Sequence, residues 1–409
     1  MVKKSVCTNG VRIVHEYMPH VRSVALGVWI QAGSKDELKE EAGLAHFIEH
    51  MLFKGTTSRT AKTIAEEFDR IGGELNAFTS KEATCVHTTV LKEHAENALT
   101  ILEDMLLHSK FDKEEIAKEK LVILEEIAMC EDTPDDDVHE QLWKTMYPDH
   151  PIGKPVLGTK QSVLKFTKQS IQSFMNRLYR PENIVISIAG NYDETLISSV
   201  ERLFGAFKSV YAIQKGPTNI APAFHSNVSV KEKDIEQAHL CLGFPSLSIQ
   251  DERKYELAIA DCIIGGGMSS RLFQEVREEH GLAYSIYSYY SSYEEAGSFI
   301  IYGGTSPENL EALQNTIQSV IQTLLSEGIL EEELENAKQS VITGFLLGLE
   351  STESRMSRNG HQELLLQSNL NVEEVVTKIT GVTKLNVEKM IAYLFCKKPA
   401  ISIITPPTR

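Results

Sequence analysis

The sequence predicts an α+β protein of two duplicated domains, each a mostly antiparallel β-sheet with helices packed on one side. Three observations carry this expectation. At 409 residues the chain exceeds one ordinary hydrophobic core, so two domains of about 200 residues are expected. Segments of alternating polarity, the mark of half-buried strands, are interleaved with longer segments of helical period. The plan of the first half then recurs in the second.

Composition narrows the class of function. Hydrophobic residues make up 42% of the chain and charged residues 24%, an ordinary globular balance. The net charge of −16, from 57 acidic against 41 basic side chains, has the wrong sign for neutralising phosphates, so no nucleic-acid partner is expected. No uncharged apolar run approaches the ~20 residues that cross a bilayer, so no membrane association is expected. Lys3 and Lys4 are not followed by the apolar stretch of a secretory leader. Cys7, Cys85, Cys130, Cys241, Cys262 and Cys396 form no CxxC pair. Free thiols in a reducing cytoplasm are the expectation.

Residues 11–17 and 23–30 alternate in polarity and read as antiparallel strands. Helical periodicity follows over 42–53 and 61–71, the second ending at Gly72-Gly73 as helix C-termini commonly do. Residues 74–79 and the Thr- and Val-rich 84–91 read as strands. Long helices are expected at 93–108, 112–131 and 136–146. After a Pro/Gly-bearing loop at 150–155 come a helix at 168–178, an apolar strand at 184–190 and a helix at 193–205. Periodicity ceases over 207–224, around Gly216, Pro217 and Pro222, which marks an interdomain linker. The expected domains are therefore 1–210, carrying the candidate site, and 225–409, joined by 211–224. The second opens with strands at 226–233 and 237–243 and helices at 251–264 and 269–279. Strands at 282–291 and 297–304 and helices at 306–326 and 331–349 follow. The segments beginning at Asp112 and Glu331 each open a long helix with an E/D-x-x-E capping pattern, which supports the duplication.

Residues 46–50 read His-Phe-Ile-Glu-His. At 100° per residue His46 and His50 lie one turn apart on one helix face, so both imidazoles reach a single ion. Glu49 sits at the border of that face, where it can act on an attacking water as general base without being a ligand. Neutral imidazoles favour a borderline ion such as zinc, one per chain. A catalytic zinc wants a third protein ligand and an open position. The helix 112–131 offers Glu114, Glu115, Glu119, Glu125 and Glu126. Glu119 and Glu126 share a face two turns apart, and periodicity does not choose between them. Gly265-Gly266-Gly267 is not followed by G-K-[ST], so no phosphate loop is expected there.

The stretch Gly43-Leu44-Ala45-His46-Phe47-Ile48-Glu49-His50-Met51-Leu52-Phe53-Lys54-Gly55-Thr56 resembles the active-site helix of the pitrilysin family of inverzincins. Within that family it is most similar to the β-subunit of mitochondrial processing peptidase and its single-gene bacterial relatives. The resemblance implies that Glu126 is the third metal ligand and Glu119 a supporting group. It also implies that Asn76, Ala77 and Phe78, within Gly73-Glu74-Leu75-Asn76-Ala77-Phe78-Thr79, form an edge strand that pairs with an extended peptide. Arg277 and Tyr284, within Arg277-Glu278-Glu279-His280-Gly281-Leu282-Ala283-Tyr284, match the family's pair that grips substrate carbonyls and stabilises charge near the scissile bond. Larger members fuse two such chains into a clamshell, so the resemblance implies a homodimer enclosing peptide substrates, with Arg277 and Tyr284 acting on the partner's zinc site.

The expectation is thus a zinc metalloendopeptidase for unfolded or presequence-like peptides. A non-catalytic scaffold on the same fold would be free to lose the four motif residues. A structural zinc site would want a fourth protein ligand, commonly cysteine, and none lies near the motif in sequence.

Overall fold

The computed structural model describes residues 2–207 and 222–407. In chain order the first half contributes β1 (Val2–Val6), β2 (Arg12–Tyr17), β3 (Ser23–Ile30), α1 (Leu44–Leu52), α2 (Ala61–Ile71), β4 (Glu74–Thr79) and β5 (Thr84–Leu91). It continues with α3 (Ala95–His108), α4 (Lys113–Asp132), α5 (Pro134–Met146), α6 (Lys160–Val163), α7 (Lys168–Leu178), β6 (Ile184–Gly190) and α8 (Glu194–Gly205). The second half has β7 (Val228–Glu232), β8 (Ala238–Ser246), α9 (Lys254–Ile264), a π-helical stretch Phe273–Glu279, β9 (Ala283–Ser292) and β10 (Gly297–Thr305). After these come α10 (Leu310–Glu327), α11 (Glu331–Gly348), α12 (Thr352–Leu366), α13 (Val372–Thr380), α14 (Lys384–Leu394) and β11 (Ala400–Thr405).

The α+β class is the one expected, and the duplication is visible in the sheets. The first has strand order β1-β2-β6-β3-β5-β4 and the second β7-β11-β8-β10-β9. Apart from β1 the two orders correspond strand for strand. Each contains one parallel pair, β2 with β6 and β7 with β11, and the other pairs are antiparallel. The edge strands β4 and β9 occupy equivalent places. β1 and everything after α11 were not anticipated from the sequence, and β11 is the counterpart of β6.

One detail departs from expectation: the first sheet carries helices on both faces. Along β3, Val24, Leu26, Val28 and Ile30 enter the main core with Leu44, Phe47, Ile48 and Met51 of α1 and Leu99, Leu102 and Met105 of α3. The alternate residues face α12. Trp29 Nε1 donates to Met356 Sδ at 3.5 Å, and Ser187 Oγ on β6 donates to Met356 O at 2.7 Å. Coverage on both faces explains why β6 is buried at every position and reads as an apolar run interrupted by Ser187. On the same face Glu16, a buried carboxylate, is met by Arg355 Nη1 at 2.6 Å and Asn359 Nδ2 at 2.9 Å.

The second sheet receives the reciprocal element. Val138, Leu142 and Met146 of α5 pack with Cys241, Ile300, Ala400 and Ile404. One compact unit therefore runs up to Ala128, resumes at Pro155 and includes Gly348–Asn371. The other takes Met129–Lys154, the stretch ending at Leu347, and Val372 onward. Neither unit is the contiguous half 1–210 or 225–409, because each sheet's second face is sealed by a helix from the other half. The expected linker 211–224 lies outside the described residues except for 222–224.

The fit of α12 depends on two glycines. A Cβ at Gly27 would stand 2.2 Å from Met356 Sδ, and one at Gly360 would stand 2.3 Å from Trp29 Nε1. Methionine can swing aside; the buried indole cannot. Gly360→Ala should therefore lower stability by about 1–3 kcal/mol through overpacking, outweighing a helix-propensity gain of about 1 kcal/mol. Gly344→Ala on α11, where a Cβ meets nothing within 4 Å, should be neutral or stabilising. Thermal and urea midpoints of the two variants check this, and equal shifts would refute it.

Candidate metal centre and peptidase site

Helix α1 positions the motif because its other residues have no alternative but the core. Leu44, Ala45, Phe47, Ile48, Met51 and Leu52 are buried, which leaves His46, Glu49 and His50 along one edge. The helix start is pinned by the buried Glu37, whose carboxylate accepts from Gly43 N at 2.8 Å and Ala45 N at 2.9 Å. A carboxylate there also complements the helix dipole. Gly43 has φ +89°, and a Cβ on it would stand 2.5 Å from Leu157 O. Only glycine suits both demands.

Across from α1, helix α4 delivers Glu119 and Glu126 to the same place. His46 Nε2 lies 3.9 Å from Glu126 Oε2, and His50 Nε2 lies 3.7 Å from Glu126 Oε1. Donor atoms of His46, His50 and Glu126 all fall within 4.8 Å of one another. Such separations are too long for hydrogen bonds. They are close to the ~3.4 Å expected between ligands at about 2.1 Å from a tetrahedral zinc. Glu126 Oε2 is buried without a hydrogen-bond partner, as is His46 Nδ1. Two imidazoles and one carboxylate are a donor set suited to catalytic zinc, and the residues present fit that ion. The geometry thus joins Glu126, not Glu119, to the histidine pair.

Glu119 instead meets the other side of the His50 ring. Its Oε1 lies 2.7 Å from His50 Nδ1, and its Oε2 lies 2.6 Å from Lys54 Nζ. With Nδ1 engaged by Glu119, Nε2 of His50 faces Glu126. Burial works against the Glu119 carboxylate, but hydrogen bonds from His50 and Lys54 outweigh it and hold its pKa below the usual range. The same contact prevails at His50. Burial lowers the imidazole's pKa, while the bond to Glu119 and the charges of Glu126, Glu119 and Glu49 raise it overall. His46 goes the other way, to about 4, through burial and then the neighbouring His50 charge. It is therefore neutral at physiological pH with its lone pair available.

Glu49 is buried, and burial raises its pKa against the opposing hydrogen bond from Thr79. A raised carboxylate pKa suits a group that must take and return a proton. Thr79 Oγ1 donates to Glu49 Oε2 at 2.5 Å. Neither Thr79 nor Lys54 was singled out from the sequence as a functional residue. A period-2 reading does put Thr79 on the face of Leu75 and Ala77, but nothing local says that face meets α1.

Asn76, Ala77 and Phe78 lie on β4, an edge strand of the first sheet among the described residues. Leu75 and Ala77 pack toward the core, while Phe78 turns to the opposite face and meets Trp29 edge-on at 5.5 Å. Arg277 and Tyr284 belong to the second unit, where they touch each other. The guanidinium stacks over the Tyr284 ring at 4.5 Å and the Phe273 ring at 4.7 Å, and Nη1 donates to Tyr284 O at 3.1 Å. Tyr284 remains 81% exposed. The helix carrying Arg277 is π-helical rather than α-helical.

Comparison with known proteins supports the same assignment from the whole chain. The family described as Insulinase (Peptidase family M16) matches residues 12–160, and the Peptidase M16 inactive domain matches residues 165–341. The chain is 48% identical to the uncharacterized zinc protease YmxG of Bacillus subtilis, over 99% of this chain and 98% of that protein. It is 40% identical to an uncharacterized zinc protease of Rickettsia felis, over 97% of this chain and 96% of that one. A protease from Helicobacter pylori shares the fold, with a TM-score of 0.93 at 20% identity over 99% of both chains. Matches this extensive, on a chain with this arrangement of histidines and glutamates, place it in the insulinase family of peptidases, M16.

Proposed function

We propose that the chain is a zinc-dependent endopeptidase that cleaves unfolded peptides, presequence-like oligopeptides among them, inside a closed chamber formed by a homodimer. The observation that carries the reading is the convergence of His46, His50 and Glu126 beside Glu49. Membership of M16 and relatives named zinc proteases support it. So does the likeness of residues 43–56 to the processing-peptidase β-subunit, which favours presequence-like substrates. Net charge of −16 favours basic peptides. Six free cysteines suit a reducing compartment such as the cytoplasm.

One zinc ion per chain, held by His46, His50 and Glu126, would polarise the scissile carbonyl and lower the pKa of a water toward ~7. The chain's own residues supply the remaining steps. The free edge of β4 at Asn76, Ala77 and Phe78 holds an extended peptide by main-chain hydrogen bonds. Glu49 takes a proton from the attacking water and returns it to the leaving amine. Arg277 grips a substrate carbonyl and Tyr284 stabilises charge near the scissile bond, both acting on the partner chain's site. A non-catalytic subunit on the same fold would have no use for the convergence of all four motif residues.

Glu49→Gln should retain zinc and lose about 100- to 10,000-fold in peptide cleavage. Metal analysis alongside a fluorogenic peptide assay checks this, and wild-type cleavage would refute Glu49 as the base. Glu119→Gln should weaken zinc binding about 10- to 100-fold, measured by competition with a chromogenic chelator; wild-type affinity would count against its supporting role. For the trans arrangement, mixing Glu49→Gln with Arg277→Ala chains should restore activity that neither has alone. Mixed dimers that stay inactive would place Arg277 in cis.

A further inference from the structure

We infer that Thr79 is a positioning residue for Glu49, coupling the strand on which the peptide docks to the orientation of the general base. The inference rests on the reading of Glu49 as base and goes beyond it, because the Thr79 side chain would act through Glu49 and is not one of the residues that would hold the metal.

The β4–β5 hairpin fixes which way each main-chain group of β4 points. Ser80 N donates to Ala83 O at 2.8 Å, and the next pair outward is Thr79 with Thr84. Hydrogen-bonded and non-hydrogen-bonded pairs alternate along an antiparallel ladder. The main-chain groups of Leu75, Ala77 and Thr79 therefore point away from β5, toward the free edge. Consistent with this, Ala77 N is taken up by Asn76 Oδ1 at 2.8 Å instead of by β5. The side chains of the same three residues face α1: Leu75 and Ala77 meet the core, and Thr79 meets Glu49. Thr79 thus offers its main chain to an incoming peptide and its hydroxyl to the base.

The direction of that hydroxyl is determined by its neighbours. Thr84 Oγ1, 3.5 Å from Thr79 Oγ1, donates its single proton to Ala32 O at 2.9 Å. A carboxylate only accepts. The Thr79 proton accordingly goes to Glu49 Oε2, which leaves Oε1 as the oxygen free to take a proton. Without the hydroxyl, a buried carboxylate would lose its one side-chain donor among the described residues and the restraint on its torsion.

The second unit sets the rival reading. There Ser288 Oγ on β9 donates to Asp261 Oδ1 on α9 at 2.6 Å, a similar contact between edge strand and helix with no histidine on that helix. A purely architectural role for Thr79 is what the experiment must separate.

Thr79→Val keeps the branched shape and removes the hydroxyl; Thr79→Ser keeps the hydroxyl. For Thr79→Val, kcat should fall about 10- to 100-fold, while peptide KM, zinc content and thermal midpoint stay at wild-type values. Thr79→Ser should restore kcat, and Thr79→Val added to Glu49→Gln should lower the residual rate no further. Wild-type kcat in Thr79→Val would overturn the inference, as would a loss that Thr79→Ser fails to restore or one that tracks a fall in zinc or stability. Should Glu49→Gln itself cleave at the wild-type rate, the base assignment fails independently of any result at Thr79.

Discussion

The site depends on the burial of one short helix. Helix α1 has nine residues, too few to be stable in water alone. It exists because Leu44, Phe47, Ile48, Met51 and Leu52 are sealed into the core and because Glu37 satisfies its first amides. That burial removes the helix's rotational freedom. His46, Glu49 and His50 are then presented to α4 and β4 with no torsional choice beyond their own side chains. Pre-organisation of this kind lets three residues from a nine-residue segment be presented along one edge.

Around that helix the electrostatics are uneven by design of the packing. Three carboxylates converge on two imidazoles. Glu119 is met by Lys54 and His50, whereas Glu126 approaches both histidines at 3.7 and 3.9 Å without hydrogen-bonding either. His46 is kept neutral by burial and His50 is oriented by Glu119. The two imidazoles are therefore held in their states by different physical causes.

The duplication provides the frame, and among the described residues the His46, His50 and Glu126 cluster lies in one half alone. Helix α9 follows β8 as α1 follows β3, yet α9 contains no histidine, and its Asp261 is raised to about 6 by burial. The reciprocal use of α5 and α12 ties each sheet to the other half of the chain. A contact such as Gly360 against Trp29 accordingly joins residues from opposite ends of the sequence.

Sequence alone determined what depends on local period and spacing. The alternation in β3, β4 and β5, the helix ending at Gly72, and the shared face of His46 and His50 all follow from geometry within a few residues of chain. The histidine pair and Glu49 were legible for that reason. The choice of Glu126 over Glu119 was not, since both lie on one face of α4; it came first from resemblance and then from the packing of α4 against α1. Thr79 and Lys54 became visible only in the folded chain, because a hydroxyl or an ammonium acquires a role from what lies opposite it. The helices that pack on a sheet formed by the other half of the sequence were equally hidden, since a helix's own sequence states that it has an apolar face but not which sheet that face will cover. Local periodicity decided the elements and the motif; long-range burial decided which carboxylate meets both histidines and which hydroxyl meets Glu49.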